Sequence, residues 1–396
     1  MIDIVSEAKK LQPDIVCWRR YLHQIPEVGL ELPKTAAYVA ERLKEIGIEY
    51  KTGVGVSGIV GIIKGEKPGK VIGLRADMDA LAIKEEADIS FIATNGNMHA
   101  CGHDTHTAML LGAAKILHEN RDKIHGTIKL IFQPDEEGSH GAKAMIKDGV
   151  LENPKMDAVL GLHIGSIFKE TGPGQISISY GRAMASFDKF NLKIKGHGCH
   201  GAMPNMGIDP VVMAGHVIIA LQTIVSREMK PTHPAVVTIG KVHGGTAYNI
   251  IPDVVEIEGT FRAIDNEERE MIAKRIEEIA QGVTKAMRGS YEYDITWGAP
   301  PVVNDAEFTR EFYETAKKVI GEENILEITE PTMGGEDMAY YLSEVPGTFF
   351  FLGGANPEKG PVYPHHNSKF IVDEDVFWKG TALLAQGAFD WLENNK

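Results

Sequence analysis

The middle of the chain constrains the architecture more than any single motif, because its order of elements differs from what lies on either side. Between Phe187 and Trp297 the apolar spacing predicts a strand (Phe187 to Lys195), a helix (Pro210 to Arg227), two strands (Val236 to Val242 and Val254 to Arg262), a helix (Asn266 to Met287) and a last strand (Tyr291 to Trp297). That order is a split β-α-β, ferredoxin-like unit. Before it, helix-like Thr35 to Ile46, Thr105 to Glu119 and Ser139 to Lys147 alternate with strand-like Gly58 to Ile63, Val71 to Arg75, Thr127 to Phe132 and Ala158 to His163. From Pro300 the first style returns, with helices Glu307 to Ile320 and Val376 to Leu392 around strand Thr348 to Leu352. The chain of 396 residues therefore reads as α/β. A mixed sheet covered by helices is built from residues 1–185 and 299–396, and an α+β domain at 186–298 is inserted into it.

The residues with chemistry in them follow strand ends, the edge of an open α/β sheet at which ligands bind. Met98-His99-Ala100-Cys101-Gly102-His103-Asp104-Thr105-His106 gathers a thiol and three imidazoles into one loop ahead of a helix. Such a loop suits a divalent cation first; a cysteine nucleophile with its base, or a buried cysteine beside surface histidines, are the alternatives. Gln133-Pro134-Asp135-Glu136-Glu137-Gly138 places three acids just beyond a buried strand, where they repel one another unless cations or water receive them. Neighbouring carboxylates divide labour well, one holding a metal and the other moving a proton; a solvated acidic turn is the plainer alternative. His163 ends a strand and His366 lies in Tyr363-Pro364-His365-His366-Asn367-Ser368. Taken together, these pieces favour a metal centre over any reading of one piece alone. Gly53-Val54-Gly55-Val56-Ser57-Gly58 imitates a dinucleotide fingerprint, but its glycines lead into the strand Ile59 to Ile63 and no helix follows to receive a pyrophosphate.

The net charge of -14 disfavours nucleic acid and anionic membranes as partners. Three cysteines, Cys17, Cys101 and Cys199, sit at unrelated spacings, so reduced thiols are expected rather than disulfides. Asp3, Glu7, Lys9, Lys10 and Asp14 interrupt any apolar leader, and the apolar run Val211 to Leu221 is too short to span a bilayer and reads as a buried helix. Cytoplasmic residence is the expectation.

An ordered set of segments carries a resemblance: Trp18-Arg19-Arg20 with His23 and Pro26-Glu27, Leu74 to Leu81, the His99 to Asp104 loop, Phe132 to Gly138, Gly196 to Pro204, Asn249-Ile250-Ile251-Pro252, Gly335-Glu336-Asp337 and His366-Asn367-Ser368. Through nearly its whole length the chain resembles the metal-dependent amidohydrolase and carboxypeptidase family that includes aminoacylases, hippurate hydrolase, auxin-conjugate hydrolases and a carboxypeptidase of thermophilic archaea. The resemblance implies two divalent ions per subunit, zinc or manganese with cobalt or nickel as alternatives. Their ligands would be Cys101, His103, Glu137, His163 and His366, with Glu136 as general base and acid. Asp77, Asp79 and Asp104 then become carboxylates that orient a ligand histidine. Asp77-Met78-Asp79 and Cys101 stand where the wider family has His-x-Asp and a bridging Asp, which points to the amidohydrolase branch. The inserted domain resembles a lid and dimerisation domain, whose His200 would reach a neighbouring subunit's site and steady an oxyanion. Asn249 and Arg262 would hold the substrate carboxylate. Ala82, Asp135, Cys199 and Asn205 depart from the common Pro, Ala, Gly and His.

The expected activity is hydrolysis of the amide of N-acyl amino acids or short peptides by a homodimer or dimer of dimers, with Glu136 taking a proton from a water whose pKa the metals lower. An N-acetyldiaminopimelate deacetylase falls within the same chemistry, and a thiol hydrolase built on Cys101 is the rival.

Overall fold

A computed structural model describes residues 2–396. The chain forms two compact units, one of Met1–Ala183, Val303–Glu330 and Glu336–Lys396, the other of Met184–Val302 with Pro331–Gly335.

The first unit is built on an eight-stranded sheet. Its order is Glu49–Val54, Gly58–Lys64, His125–Gln133, Lys67–Asp77, Ala158–Gly165, Gly347–Gly353, Ile176–Ile178 and Ile325–Glu327. The four central strands, from His125–Gln133 to Gly347–Gly353, run parallel, while the flanking pairs include antiparallel ones, so the sheet is mixed. Strands buried on both faces are near-continuous apolar runs, and all eight residues of Ala158–Gly165, His163 among them, are buried. Their alternation sorts two environments. Leu160, Leu162 and Ile164 join the core together with Leu383, Leu384 and Ala388 of the helix Phe377–Asn394. A Cβ at Gly161, on the opposite side, would meet Met338 and Phe349, and His163 shares that side.

The helix His103–Glu119 is buried along nearly its whole length and packs between Ile4–His23 and Phe377–Asn394. A helix hydrophobic all round belongs in a core. Gly102 enters it with φ +90°, and a Cβ there would lie 2.9 Å from Ile164, so the loop carrying Cys101 closes onto the strand end only with glycine.

The second unit is an antiparallel sheet in the order Val236–Gly244, Val254–Arg262, Asp188–Lys195, Ser290–Thr296, with helices Pro210–Thr223 and Asn266–Ala286. Phe190, Leu192, Ile194, Ile257 and Phe261 alternate inward and pack with Met213, Val217, Leu221, Ile272 and Ile276 of those helices. The outward positions form cross-strand ion pairs, Lys189 with Glu258 at 2.9 Å and Lys193 with Glu256 at 3.2 Å. This is the ferredoxin-like order. A short return, Pro331–Gly335, joins the unit, where the Ala185 N–H donates to the Thr332 and Gly334 carbonyls.

The apolar run Val211 to Leu221 is a helix but is not buried as expected. Met213, Ala214, Val217 and Leu221 face the sheet, whereas Val211, Val212 and Ile219 are 50%, 52% and 71% exposed. One sheet covers only one side of a helix, and here the other side is apolar too. Among the described residues, the stretch Pro210–Glu228 is the one helical segment whose length and composition would suit a bilayer, though its inner side is spent on the core of this unit.

Candidate metal centre

The carboxyl ends of the central parallel strands deliver the side chains. Lys67–Asp77 leads to Asp77 and Asp79, His125–Gln133 to Glu136 and Glu137, and Ala158–Gly165 carries His163 near its end. The loop before helix His103–Glu119 adds Cys101 and His103, and the segment after Gly347–Gly353 returns with His365 and His366. Three overlapping groups of donors result: Cys101 with His163 and His365, Cys101 with Glu137 and His366, and His103 with Glu136 and Glu137, each with its donor atoms within 4.8 Å of one another. All five residues proposed as ligands, and Glu136, therefore come together in the first unit.

Backbone partners decide which ring nitrogen of each histidine is free, since a carbonyl can only accept and an N–H only donate. His103 Nδ1 donates to the Asp79 carbonyl at 3.1 Å, leaving Nε2 with its lone pair, buried and without a hydrogen-bond partner. His163 Nδ1 donates to the Ile164 carbonyl at 2.7 Å, so its Nε2 lone pair is the atom 3.4 Å from Cys101 Sγ. Glu137 Oε1 is likewise buried without a hydrogen bond, although His366 Nε2 lies 3.2 Å away. Buried lone pairs aimed at one another and left unmatched cost free energy unless a cation receives them.

The surrounding charge points the same way. Asp77, Asp79, Glu136, Glu336 and Asp337 are all buried. Among the described residues Arg75 is the one guanidinium bonded to this group: it donates to Asp77 at 2.7 Å, Glu336 at 2.9 Å, Asp337 at 2.7 Å and Gln133 at 3.0 Å. Such an excess of carboxylate is tolerable beside divalent cations. The donor set, thiolate, imidazole and carboxylate, is of the kind that holds zinc and its neighbours in the first transition row. The residues present fit two metal ions.

The supporting carboxylates differ in what they do. Asp79 receives His103 Nδ1 at its carbonyl and, at 3.1 Å, the Glu137 N–H at its carboxylate, so it holds two donors at once. Asp77 receives His106 Nδ1 at 2.6 Å. His106 is closed to a metal, because its Nε2 accepts the Ile164 N–H at 2.9 Å. Asp77 therefore departs from the expectation of a carboxylate behind a ligand histidine, and so does Asp104. One residue beyond His103 on the helix, it turns away and accepts from Arg19 Nε and His23 Nδ1, both at 2.7 Å. The sequence reading assigned no role to Arg75, Gln133, Glu336 or His365. Their traces in the sequence are the segments Leu74 to Leu81, Phe132 to Gly138 and Gly335-Glu336-Asp337, which carry the resemblance without showing what Arg75, Gln133 and Glu336 do.

Burial, and after it the negative charge of Glu336, pushes the Glu136 carboxyl well above the usual carboxylate range, the direction a group needs in order to hold a proton part of the time. Burial pushes the Cys101 thiol up rather than down, the opposite of what a cysteine nucleophile requires. Asp135, where the resembling family has Ala, adopts φ +53° and accepts from His140 Nδ1 at 2.9 Å. Aspartate tolerates the left-handed region better than alanine.

The remaining expected residues belong to the second unit. Cys199–His200 pairs with Ile250–Ile251 in a two-stranded ribbon that also presents Asn249. The Ala202 N–H donates to His200 Nδ1 at 3.1 Å, which puts the proton of the neutral ring on the outward Nε2 as a donor. Arg262 donates to the Met333 carbonyl at 3.2 Å and lies over the Phe187 ring. Among the described residues no carboxylate is in ion-pair contact with it, so it is not tied up in a cross-strand pair.

Comparison with known proteins follows the same lines. The sequence model of peptidase family M20/M25/M40 matches residues 73–389. Thermostable carboxypeptidase 1 of Saccharolobus solfataricus is 40% identical over 396 residues, covering 97% of this chain and 98% of its own. N-acetyl-L-cysteine deacetylase of Bacillus subtilis is 39% identical over 397 residues, covering 98% of this chain and 90% of its own. Among solved structures, the YXEP protein of Bacillus subtilis, described as a dinuclear metal binding peptidase from the M20 family, superposes with a TM-score of 0.83 at 32% identity, over 97% of this chain and 99% of that one.

Proposed function

Because the chain belongs to peptidase family M20/M25/M40, a family of hydrolases, we propose that it hydrolyses the amide bond of N-acyl amino acids or short peptides that end in a free carboxylate. The observation carrying this reading is the convergence of Cys101, His103, Glu137, His163 and His366, with unmatched buried lone pairs, beside the buried carboxyl of Glu136. Those five residues would hold two divalent ions, zinc or manganese, with cobalt or nickel as alternatives. When bound, the ions supply Lewis acidity toward the scissile carbonyl and lower the pKa of a water. Glu136 takes the proton of the attacking water and delivers it to the departing nitrogen, so one carboxyl serves both halves of the reaction. Asp79 keeps His103 and Glu137 oriented throughout. His200 offers an outward N–H suited to a developing oxyanion, and Arg262, with Asn249, offers donors to the substrate carboxylate. Relatives named as a carboxypeptidase and as a deacetylase of an N-acyl amino acid support the substrate class.

The rival, a thiol hydrolase on Cys101, is disfavoured by the direction in which burial moves that thiol. Exhaustive chelation should abolish hydrolysis of a panel of acetyl, benzoyl and peptidyl amino acids, with N-acetyldiaminopimelate included, and added zinc, manganese, cobalt or nickel should restore it. Activity that survives chelation and dies on alkylation would replace the metal reading by the thiol one.

We place a second copy of the chain on the second unit, as a homodimer or a dimer of dimers. Its helix exposes Val211, Val212 and Ile219, and the edge strand Val236–Gly244 beside it is exposed over most of its length, with Val242 at 51%. In this arrangement His200 serves the neighbouring subunit. Ile219→Glu should convert the protein to a monomer in analytical ultracentrifugation while leaving its circular dichroism unchanged; an unaltered sedimentation coefficient removes the helix from the interface. Reduced, unpaired Cys17, Cys101 and Cys199 suit a cytoplasmic setting.

A further inference from the structure

One histidine of the centre is fixed on every side and has no part in the function proposed above. His365 lies against the backbone at Gly165, whose φ is +126° and where a Cβ would come within 2.3 Å of ring atoms Cε1 and Nε2. The Ser166 N–H donates to Nε2 at 3.1 Å. Phe370 stacks obliquely on the ring at a centroid distance of 4.7 Å, and the His163 ring meets it edge-on at 5.2 Å. The bond from Ser166 settles the tautomer: with Nε2 accepting, the neutral ring carries its proton on Nδ1, and Nδ1 is the atom 3.6 Å from Cys101 Sγ.

His365 therefore cannot offer a lone pair to a metal at either nitrogen. It can offer an N–H to sulfur. A thiolate is a hydrogen-bond acceptor on the side away from its metal, and the bond strengthens when the acceptor carries charge. The neighbouring His163 differs in just this respect, since its Nδ1 is the nitrogen spent on a carbonyl and its Nε2 lone pair faces the sulfur. Two adjacent imidazoles thus present opposite faces to one sulfur, one as an acceptor and the other as a donor.

We propose that His365 is a positioning residue for Cys101, donating a hydrogen bond from Nδ1 to the metal-bound thiolate, fixing the direction of the sulfur lone pairs and withdrawing electron density from them. Gly165 is the device that admits the ring to this place. The proposal rests on the reading of Cys101 as a metal ligand.

Cobalt(II)-loaded protein supplies a readout independent of activity, the sulfur-to-cobalt charge-transfer band. A hydrogen bond lowers the energy of the sulfur electrons, so losing it moves the band to longer wavelength. His365→Phe, which fills the space without a donor, should shift the band to the red and weaken cobalt binding about 10- to 100-fold. His365→Asn places an amide N–H near the position of Nδ1 and should return the band toward its original wavelength. Gly165→Ala, whose Cβ would displace the ring, should shift it with residue 365 still histidine. A band present in the unmodified protein but unmoved by His365→Phe and Gly165→Ala overturns the positioning role alone. So does an Asn variant that shifts as far as Phe. A cobalt protein with no sulfur band at all overturns the ligand role of Cys101, and the proposal with it.

Discussion

Glu136→Gln is expected to take up the same metal complement as the unmodified protein and to turn over N-acyl amino acids about 10³ to 10⁴-fold more slowly. The substitution keeps the volume of a side chain only 7% exposed and removes its capacity to accept a proton. A single general base is commonly worth about 10² to 10⁴-fold, and the upper part of that range applies because the same carboxyl is asked to act twice. Glu136 Oε2 lies 3.8 Å from His103 Nε2, whereas Glu137 Oε1 is the unmatched carboxylate atom beside His366, so the loss should separate cleanly from a loss of metal. Metal analysis and steady-state kinetics on one preparation test this directly. Turnover within tenfold of normal would show that some other group moves the proton.

Arg75→Met is expected to destabilise the first unit by about 3–5 kcal/mol, the usual loss when one partner of a buried ion pair is removed. The guanidinium is 1% exposed and bonds three carboxylates and the Gln133 amide at once. Burial pushes Asp337 up to about 8, and the main force opposing that rise is Arg75. With the cation gone, the carboxylates have to take up protons or draw in water, and Gln133, whose amide also donates to both Asp337 oxygens, loses its own fixed acceptor geometry. The measurement is the denaturant midpoint of the metal-free protein at neutral pH. An unfolding free energy unchanged within about half a kcal/mol, by the scale of an ordinary surface substitution, would mean that water already solvates this cluster.

Where apolar periodicity was strong, the sequence was readable. The predicted helix Thr105 to Glu119 forms as His103–Glu119, and the predicted strand Ala158 to His163 forms as Ala158–Gly165. The ferredoxin-like order was legible for the same reason, since its strands alternate between an apolar core and paired charges. The helix Ile4–His23, with Pro13 inside it and many polar residues, was not, and neither were the strands Ile176–Ile178 and Ile325–Glu327, which are too short to show a period. The inward bias of the helix Pro210–Thr223 was overestimated because composition reports apolarity and not what covers it. At the centre, His365 and His366 are adjacent and chemically identical in the sequence. What separates them is backbone geometry, a left-handed φ of +65° at His366 and a glycine under His365, which no pattern of residue types displays. The array around Arg75 joins residues up to 262 positions apart, so no local pattern shows that they meet.

The order of the strands has a consequence for synthesis. Gly347–Gly353 inserts beside Ala158–Gly165 in the interior of the sheet, and the last of the proposed metal ligands, His366, follows it. Helix Ile4–His23 is itself tied to the far end of the chain, where Gln12 accepts the Trp378 N–H and Arg20 pairs with Glu374. While the ribosome is still making the middle of the protein, Ala158–Gly165 is a strand apolar but for His163 with an unpaired edge, a template for aggregation. The nascent unit is therefore expected to gain from sheltering until its final quarter emerges, and the proposed ligand set is complete only after residue 366 has been added.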